Sequence, residues 1–280
     1  LPFFGSAKTV TAHGADELPQ SYQPTMWDYM RGGMAYNLTR ETIDDIALGA
    51  TTSIRDQRGT TLTSSMTPGI TYDSRDHFFN PTEGAQSAFS VKFAGLGGDN
   101  RFVKADLTGH WYYSLLKDPN WGGTYVLSLG GGVGYGLGFG QPANSQSDLP
   151  LFERYFLGGM NTVRGFADRT IGPRETNCVP VSGTPVCTSD IIGGDKAAFF
   201  NAEIIFPVME QYGLRGVAFF DAGNAFNGSD FFNLSEMRRS VGFGGRWLSP
   251  FGPLRVELGF ALNKQPGDET SVIGFTVGSQ

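Results

Sequence analysis

Reactive side chains are few in this chain, and most stand apart. The three histidines, His13, His77 and His110, are scattered, no Gly-x-Ser-x-Gly elbow is present, and no cluster has metal-ligand spacing. Asp73, Arg75, Asp76 and His77 fall together, but at the junction between a strand-like run and the turn Pro81-Thr82-Glu83-Gly84, where a salt-bridged turn is the simpler account. Cys178 and Cys187 are the only cysteines and share one segment. Two acids are placed where acids are costly: Glu203 interrupts a run ending Ile204-Ile205-Phe206, and Asp221 follows Val217-Ala218-Phe219-Phe220. A carboxylate set within an apolar strand must be paired or hydrogen-bonded. No catalytic constellation emerges, and the sequence predicts neither an enzyme nor a cofactor.

The elements that position these groups repeat with a period of two, the mark of strands whose two faces meet different surroundings. In Arg101 to Leu115, Val103, Ala105, Leu107, Trp111, Tyr113 and Leu115 share one face, and Lys104, Asp106, Thr108, His110, Tyr112 and Ser114 the other. Leu254, Val256, Leu258 and Phe260 alternate with Arg255, Glu257, Gly259 and Ala261, and Ile46, Leu48, Ala50 and Ile54 with Asp45, Ala47, Gly49 and Arg55. Eleven such segments are predicted, at 27–39, 43–55, 62–73, 86–96, 100–116, 123–139, 197–209, 213–226, 236–249, 252–263 and 270–280. Many exceed the usual strand length of about 5–6 residues and suit the roughly 9–11 of a tilted membrane strand. No run approaches the 18 apolar residues of a membrane helix.

Charged residues make up only 17% of the chain, thin for a water-facing globule, while aromatics reach 13%. The net charge of −6 leaves no basic footprint for nucleic acid. A soluble β-sandwich would alternate in the same way. Long strands with Trp27, Trp111, Tyr113 and Trp247 near their ends favour lipid outside and water inside. The fold class expected is all-β, an antiparallel transmembrane β-barrel. Leu1 is not a start methionine and the chain ends on a strand-like run, so it reads as a piece of a longer protein.

Two stretches depart from the pattern. From Tyr125 to Phe139 the apolar face is opposed by Gly130, Gly132, Gly134, Gly136, Gly138 and Gly140. Such a bare wall either receives something packed closely on it or eases barrel curvature. Residues 140–196 run without clear alternation, far beyond usual loop lengths. They include the aromatic run Leu149-Pro150-Leu151-Phe152-Glu153-Arg154-Tyr155-Phe156-Leu157-Gly158-Gly159 and then Asn161-Thr162-Val163-Arg164-Gly165-Phe166.

The stretch from Pro150 to Pro173 resembles the sixth extracellular loop of the BamA family, the barrels of the outer-membrane-protein assembly machinery. Val163-Arg164-Gly165-Phe166 matches that family's signature at every position. The resemblance continues through Asp73-Ser74-Arg75-Asp76, Pro81-Thr82-Glu83-Gly84, Glu203, Phe219-Phe220-Asp221-Ala222-Gly223 and Trp247-Leu248-Ser249-Pro250-Phe251-Gly252-Pro253-Leu254, in order, from about residue 27 to the end. It implies sixteen strands with periplasmic POTRA domains ahead of them, of which this chain has room for the last eleven or twelve, a partial barrel spanning 1–280. The family's closing strand usually ends on an aromatic residue, whereas this chain stops at Gln280.

The resemblance also implies a mechanism. The loop would fold back into the lumen, with Arg164, Gly165 and Phe166 as its anchor and Glu203 and Asp221 as the arginine's partners on the inner wall. A guanidinium fork suits carboxylates, and the two acids already stand in apolar strands. In an oxidising compartment Cys178 and Cys187, with eight residues between them, suggest a disulfide; two free thiols are the alternative, and zinc is disfavoured for want of a nearby histidine. Closing so short a loop adds about 2–3 kcal/mol in the chain-entropy view. The last strand, with Ile273, Gly274, Phe275, Val277 and Gly278, would form one side of a weak lateral seam where incoming strands pair. Implied partners are the bacterial outer-membrane bilayer, unfolded outer-membrane proteins as substrates and accessory lipoproteins. Competing readings are an autotransporter-assembly barrel, a two-partner secretion pore and a diffusion porin.

Overall fold

The computed structural model describes residues 26–47, 49–117, 123–139, 149–181, 184–228, 232–250 and 252–278. His13, Leu48, Gly140, Phe251 and Gln280 lie outside the described residues. Ten strands pair in chain order into one antiparallel sheet: β1 (Met30–Ile43), β2 (Gly59–Asp73), β3 (Gly84–Gly98), β4 (Phe102–Lys117), β5 (Thr124–Gly138), β8 (Lys196–Met209), β9 (Leu214–Phe226), β10 (Arg238–Ser249), β11 (Gly252–Ala261) and β12 (Ser271–Val277). Between β5 and β8 the chain forms a separate hairpin, β6 (Arg174–Val181) and β7 (Thr184–Ile191). Among the described residues β1 and β12 are the two edges, so the sheet described is an open portion of a barrel.

Two expectations need correction. Segment 43–55 is not a strand: β1 ends at Ile43, and the connection to β2 holds a single helical turn, α1 (Thr52–Arg55). Its apparent alternation is overridden by tertiary partners, because Asp190 of β7 accepts from the Thr51 amide at 3.1 Å and Glu175 of β6 from the Ser53 amide at 3.2 Å. The long connection 140–196 is also more regular than its pattern suggested. The β6–β7 hairpin escapes a period-two reading because polar residues occupy both of its faces, from Arg174 to Cys178 and again from Cys187 to Asp190.

Along the strands of the sheet one face is bare to the surroundings and apolar. Ile70, Phe89, Leu107, Leu137, Phe243 and Phe275 are all exposed there. In water such a face would drive association; on these strands it is the surface that meets hydrocarbon. Trp27, Trp111, Tyr113, Tyr212 and Trp247 lie at the end of the sheet that carries the short turns, opposite the long connections. Trp111 stacks on Tyr113 at 5.6 Å, and the Trp247 indole donates to the Tyr212 carbonyl at 2.9 Å, an interfacial girdle of amphipathic rings.

The other face receives the loop that precedes the hairpin. Glu153 bonds Lys92 of β3, while Met160 packs on Gly274 of β12. A flat sheet would separate β3 from β12 by about 34 Å, whereas seven residues span at most about 25 Å even when extended, and this segment turns tightly. The sheet therefore curls around the loop.

Candidate functional site: a loop seated on the inner wall

The loop rests on two different walls. On β5 the side chains of Val126 and Ser128 point inward, and Gly130, Gly132, Gly134, Gly136 and Gly138 fall on the same face. A methyl built on Gly134 would lie 2.5 Å from the Tyr155 ring, and one on Gly136 would lie 2.5 Å from Leu149. The glycine wall is thus a seat for the loop. Tyr155 donates to Asp106 of β4 at 2.7 Å, with the Lys104 ammonium 4.5 Å over its ring. Burial, and then the Asp106 carboxylate, raise the pKa of this phenol, which keeps it a donor.

Next to β5 in the sheet, β8 to β11 present charges. Arg164 is 3% exposed and meets three carboxylates. Its Nε and Nη2 form a side-on fork with Asp221 at 2.7 and 2.6 Å, and its own amide donates to Asp221 at 2.9 Å. Nη1 reaches Glu203 at 2.6 Å and Glu257 at 2.8 Å. The guanidinium also stacks on the Phe219 ring at 3.7 Å. Burial works against its charge, but the Asp221 hydrogen bonds and the three nearby carboxylates outweigh it and raise the pKa above the ordinary arginine value.

Three acids around one arginine would leave net negative charge in a buried site, which is costly. Arg246 supplies a second cation, bonding Glu203 at 2.7 Å and Glu257 at 2.9 Å, and Arg255 a third, bonding Glu257 at 3.1 Å. Arg246 stands directly opposite both Arg215 and Arg255 in the sheet register. Like charges facing across strands repel, so Glu203 and Glu257 are as necessary to the arginines as the arginines are to them. Asn201 completes the set, donating to Asp221 at 2.8 Å and to the Thr162 carbonyl at 2.7 Å.

The neighbours of Arg164 are seated by shape. Gly165 has φ +86°, and a methyl on it would meet the β11 backbone at Gly259 and Phe260 at 3.0 Å, so only glycine can bring the turn down flat. Val163 and Phe166 are buried with Leu157, Ile171, Ala197 and Ala225, and Arg238 lies 4.8 Å over the Phe166 ring.

Arg164, Glu203 and Asp221, singled out in the sequence, thus come together. Glu257, Arg246, Arg255 and Asn201 were missed. Their signal was present, since Arg255 and Glu257 share the non-apolar face of their strand, but that face alone does not tell a paired charge from a solvated one. Cys178 and Cys187 are directly opposite in the β6–β7 register and are joined by a disulfide. Of the residues expected at the closing strand, Ile273, Phe275 and Val277 are exposed on the apolar face. Gly274 points inward, where Met160 fills the space a side chain would take. Gly278 follows β12, its amide bonded to the Pro253 carbonyl at 3.0 Å. Among the described residues no group of three or more metal-binding side chains occurs.

This chain is 35% identical over 243 residues to the outer membrane protein assembly factor BamA of Nitratidesulfovibrio vulgaris, covering 85% of this chain and 28% of that protein. It is 29% identical to BamA of Neorickettsia risticii, over 89% of this chain and 32% of the relative. A sorting and assembly machinery component 50 homolog of Xenopus laevis is 28% identical over 65% of the chain, which covers 36% of that relative. The chain therefore spans about a third of the length of these relatives. In three dimensions it is similar to BamA from Haemophilus ducreyi lacking POTRA domains 1–3, with a TM-score of 0.64 and 27% identity over 79% of this chain and 43% of that one. The Omp85 superfamily domain matches residues 12–280, and the chain belongs to that superfamily.

Proposed function

We propose that the protein assembles β-barrel proteins in the bacterial outer membrane, with β12 as one side of a lateral seam and the Val163–Phe166 turn as the anchor that keeps the loop inside the lumen. The observation that carries the reading is the Arg164 arrangement: one loop arginine gathers acids from β8, β9 and β11 and so ties neighbouring strands to a single point. Three further features support it. The similarity to BamA proteins extends over most of the chain, among the described residues β12 is paired on one side only, and its apolar face is open to hydrocarbon. An unpaired edge is a template for another strand, and no cofactor or nucleotide is needed for such pairing. The partners in this reading are the outer-membrane bilayer, unfolded outer-membrane proteins and accessory lipoproteins. A diffusion porin is disfavoured by a loop so firmly seated, and the autotransporter-assembly and two-partner secretion readings by the likeness to BamA.

The test is complementation. In bacteria depleted of their own assembly factor, the full-length protein should restore folded outer-membrane barrels and the Arg164→Ala form should not. Equal restoration by both would remove the anchor's functional role; failure of the wild type beside a working BamA control would remove the assembly reading.

A further inference from the structure

The turn that carries Arg164 also reaches the edge strand, through a residue outside the motif. A methyl group built on Gly274 would fall on the Met160 sulfur and 2.6 Å from its Cγ, so the thioether lies directly on the backbone of β12. Met160 and Arg164 belong to one compact turn. The Gly158 amide and carbonyl both bond the Thr162 hydroxyl at 2.9 Å, and the Gly159 amide donates to the Phe166 carbonyl at 3.0 Å. The two residues also land on adjacent places, because Gly274 stands opposite Glu257, a partner of Arg164. β12 itself is lightly held. It has seven residues, pairs among the described residues with β11 alone, and turns inward only Val272, Gly274 and Thr276, with no charge among them.

We propose that Met160 is a positioning residue for the edge strand: seated on Gly274, it holds β12 against β11 while Arg164 is docked, and releases it when the turn lifts. Glycine in a strand interior often marks a close approach by another group, and an unbranched, polarisable thioether suits such a shallow seat. Loop seating and edge availability are then one equilibrium, with Arg164 supplying the strength and Met160 the reach. The inference rests on the reading of β12 as the seam, but the contact can be tested without any substrate.

Hydrogen exchange of the full-length protein in lipid bilayers decides it. Met160→Ala should speed exchange of the β12 amides bonded to β11 by about fivefold, the factor lost with roughly 1 kcal/mol, while β8 and β9 stay as in wild type. Met160→Leu should keep most of the protection. Gly274→Ala is the sharper arm. Strand propensity alone predicts slower exchange for it, whereas displacement of Met160 predicts faster exchange, and the effect should vanish in a Met160→Ala background. Unchanged β12 exchange in Met160→Ala, a uniform rise over β8 to β12, or slower exchange in Gly274→Ala whatever stands at 160 would each overturn the proposal. Failure of the wild type to restore assembly beside a working BamA control would instead strike at the functional reading and leave the exchange result standing.

Discussion

The two walls that hold the loop work by opposite means. On β5 the sheet withdraws its side chains, and Leu149 and Tyr155 lie on bare backbone. On β8 to β11 it extends three acids and two arginines, and Arg164 enters among them. A seat shaped by glycine tolerates only removal of bulk, and loses contact by small steps when its occupant shrinks. A seat made by charge fails sharply, because removing one member strands the others. The difference teaches that the loop has a compliant end and a brittle end, and that the motif residue sits at the brittle one.

The largest effect should come from breaking the ionic wall. Arg164→Ala leaves Asp221 without its fork and unbalances Glu203 and Glu257, and removal of one partner of a buried pair typically costs about 3–5 kcal/mol. The cavity of about 170 Å³ beside Arg164 admits water that reduces this. Denaturant-induced loss of heat-resistant mobility should measure the change. Arg164→Lys keeps the charge but not the fork and should lie between Ala and wild type; equal stability of Lys and wild type would reduce the seat to simple charge balance. Glu257→Gln should destabilise more than Gln86→Ala on β3, which lines the same cavity without an ion pair, because it leaves Arg255 and Arg246 facing each other with less compensation.

Next comes overfilling the shaped wall. Gly134→Val pushes into the Tyr155 ring and should cost about 1–3 kcal/mol, the range for overpacking, with loss of the Tyr155–Asp106 hydrogen bond read from Tyr155 spectroscopy. A wild-type spectrum would show that the wall can retreat. Smaller still is the hairpin's tie to the β11–β12 connection, where Asp268 accepts from Arg174 at 3.4 Å and from Arg238. Burial alone would raise its pKa, but the Gln265 amide and the two arginines outweigh it and hold the carboxyl below the ordinary carboxylate range. A depressed pKa contributes stability above the unfolded value of about 3.9 that is lost as pH falls through the lower folded value. Asp268→Asn should abolish that part of the acid response; an unchanged acid profile would assign it elsewhere.

Much of this was legible in the sequence, and for a physical reason. Strands between lipid and lumen must alternate, so β4, β5 and β11 declare themselves residue by residue. Glu203 and Asp221 stood out because they interrupt apolar runs. Glu257 did not, since an acid on an alternating polar face looks the same whether solvated or bound, and only the curl of the sheet brings it to Arg164. Segment 43–55 misled because its spacing suits a strand, while its amides are claimed by Glu175 and Asp190, more than a hundred residues away.

That distant docking has a consequence for how the chain comes together. Arg164 finds Glu203, Asp221 and Glu257 across separations of 39, 57 and 93 residues, whereas the Asp190 contact to the Thr51 amide spans 139. Joining ends over the longest span rather than the shortest costs only about 1 kcal/mol more in closure entropy, but it requires β1 and β2 to be present. The charged seat draws on β8 to β11 alone. Its members are therefore complete within the later half of the sequence, whereas the hairpin's reach to α1 needs both halves of the chain.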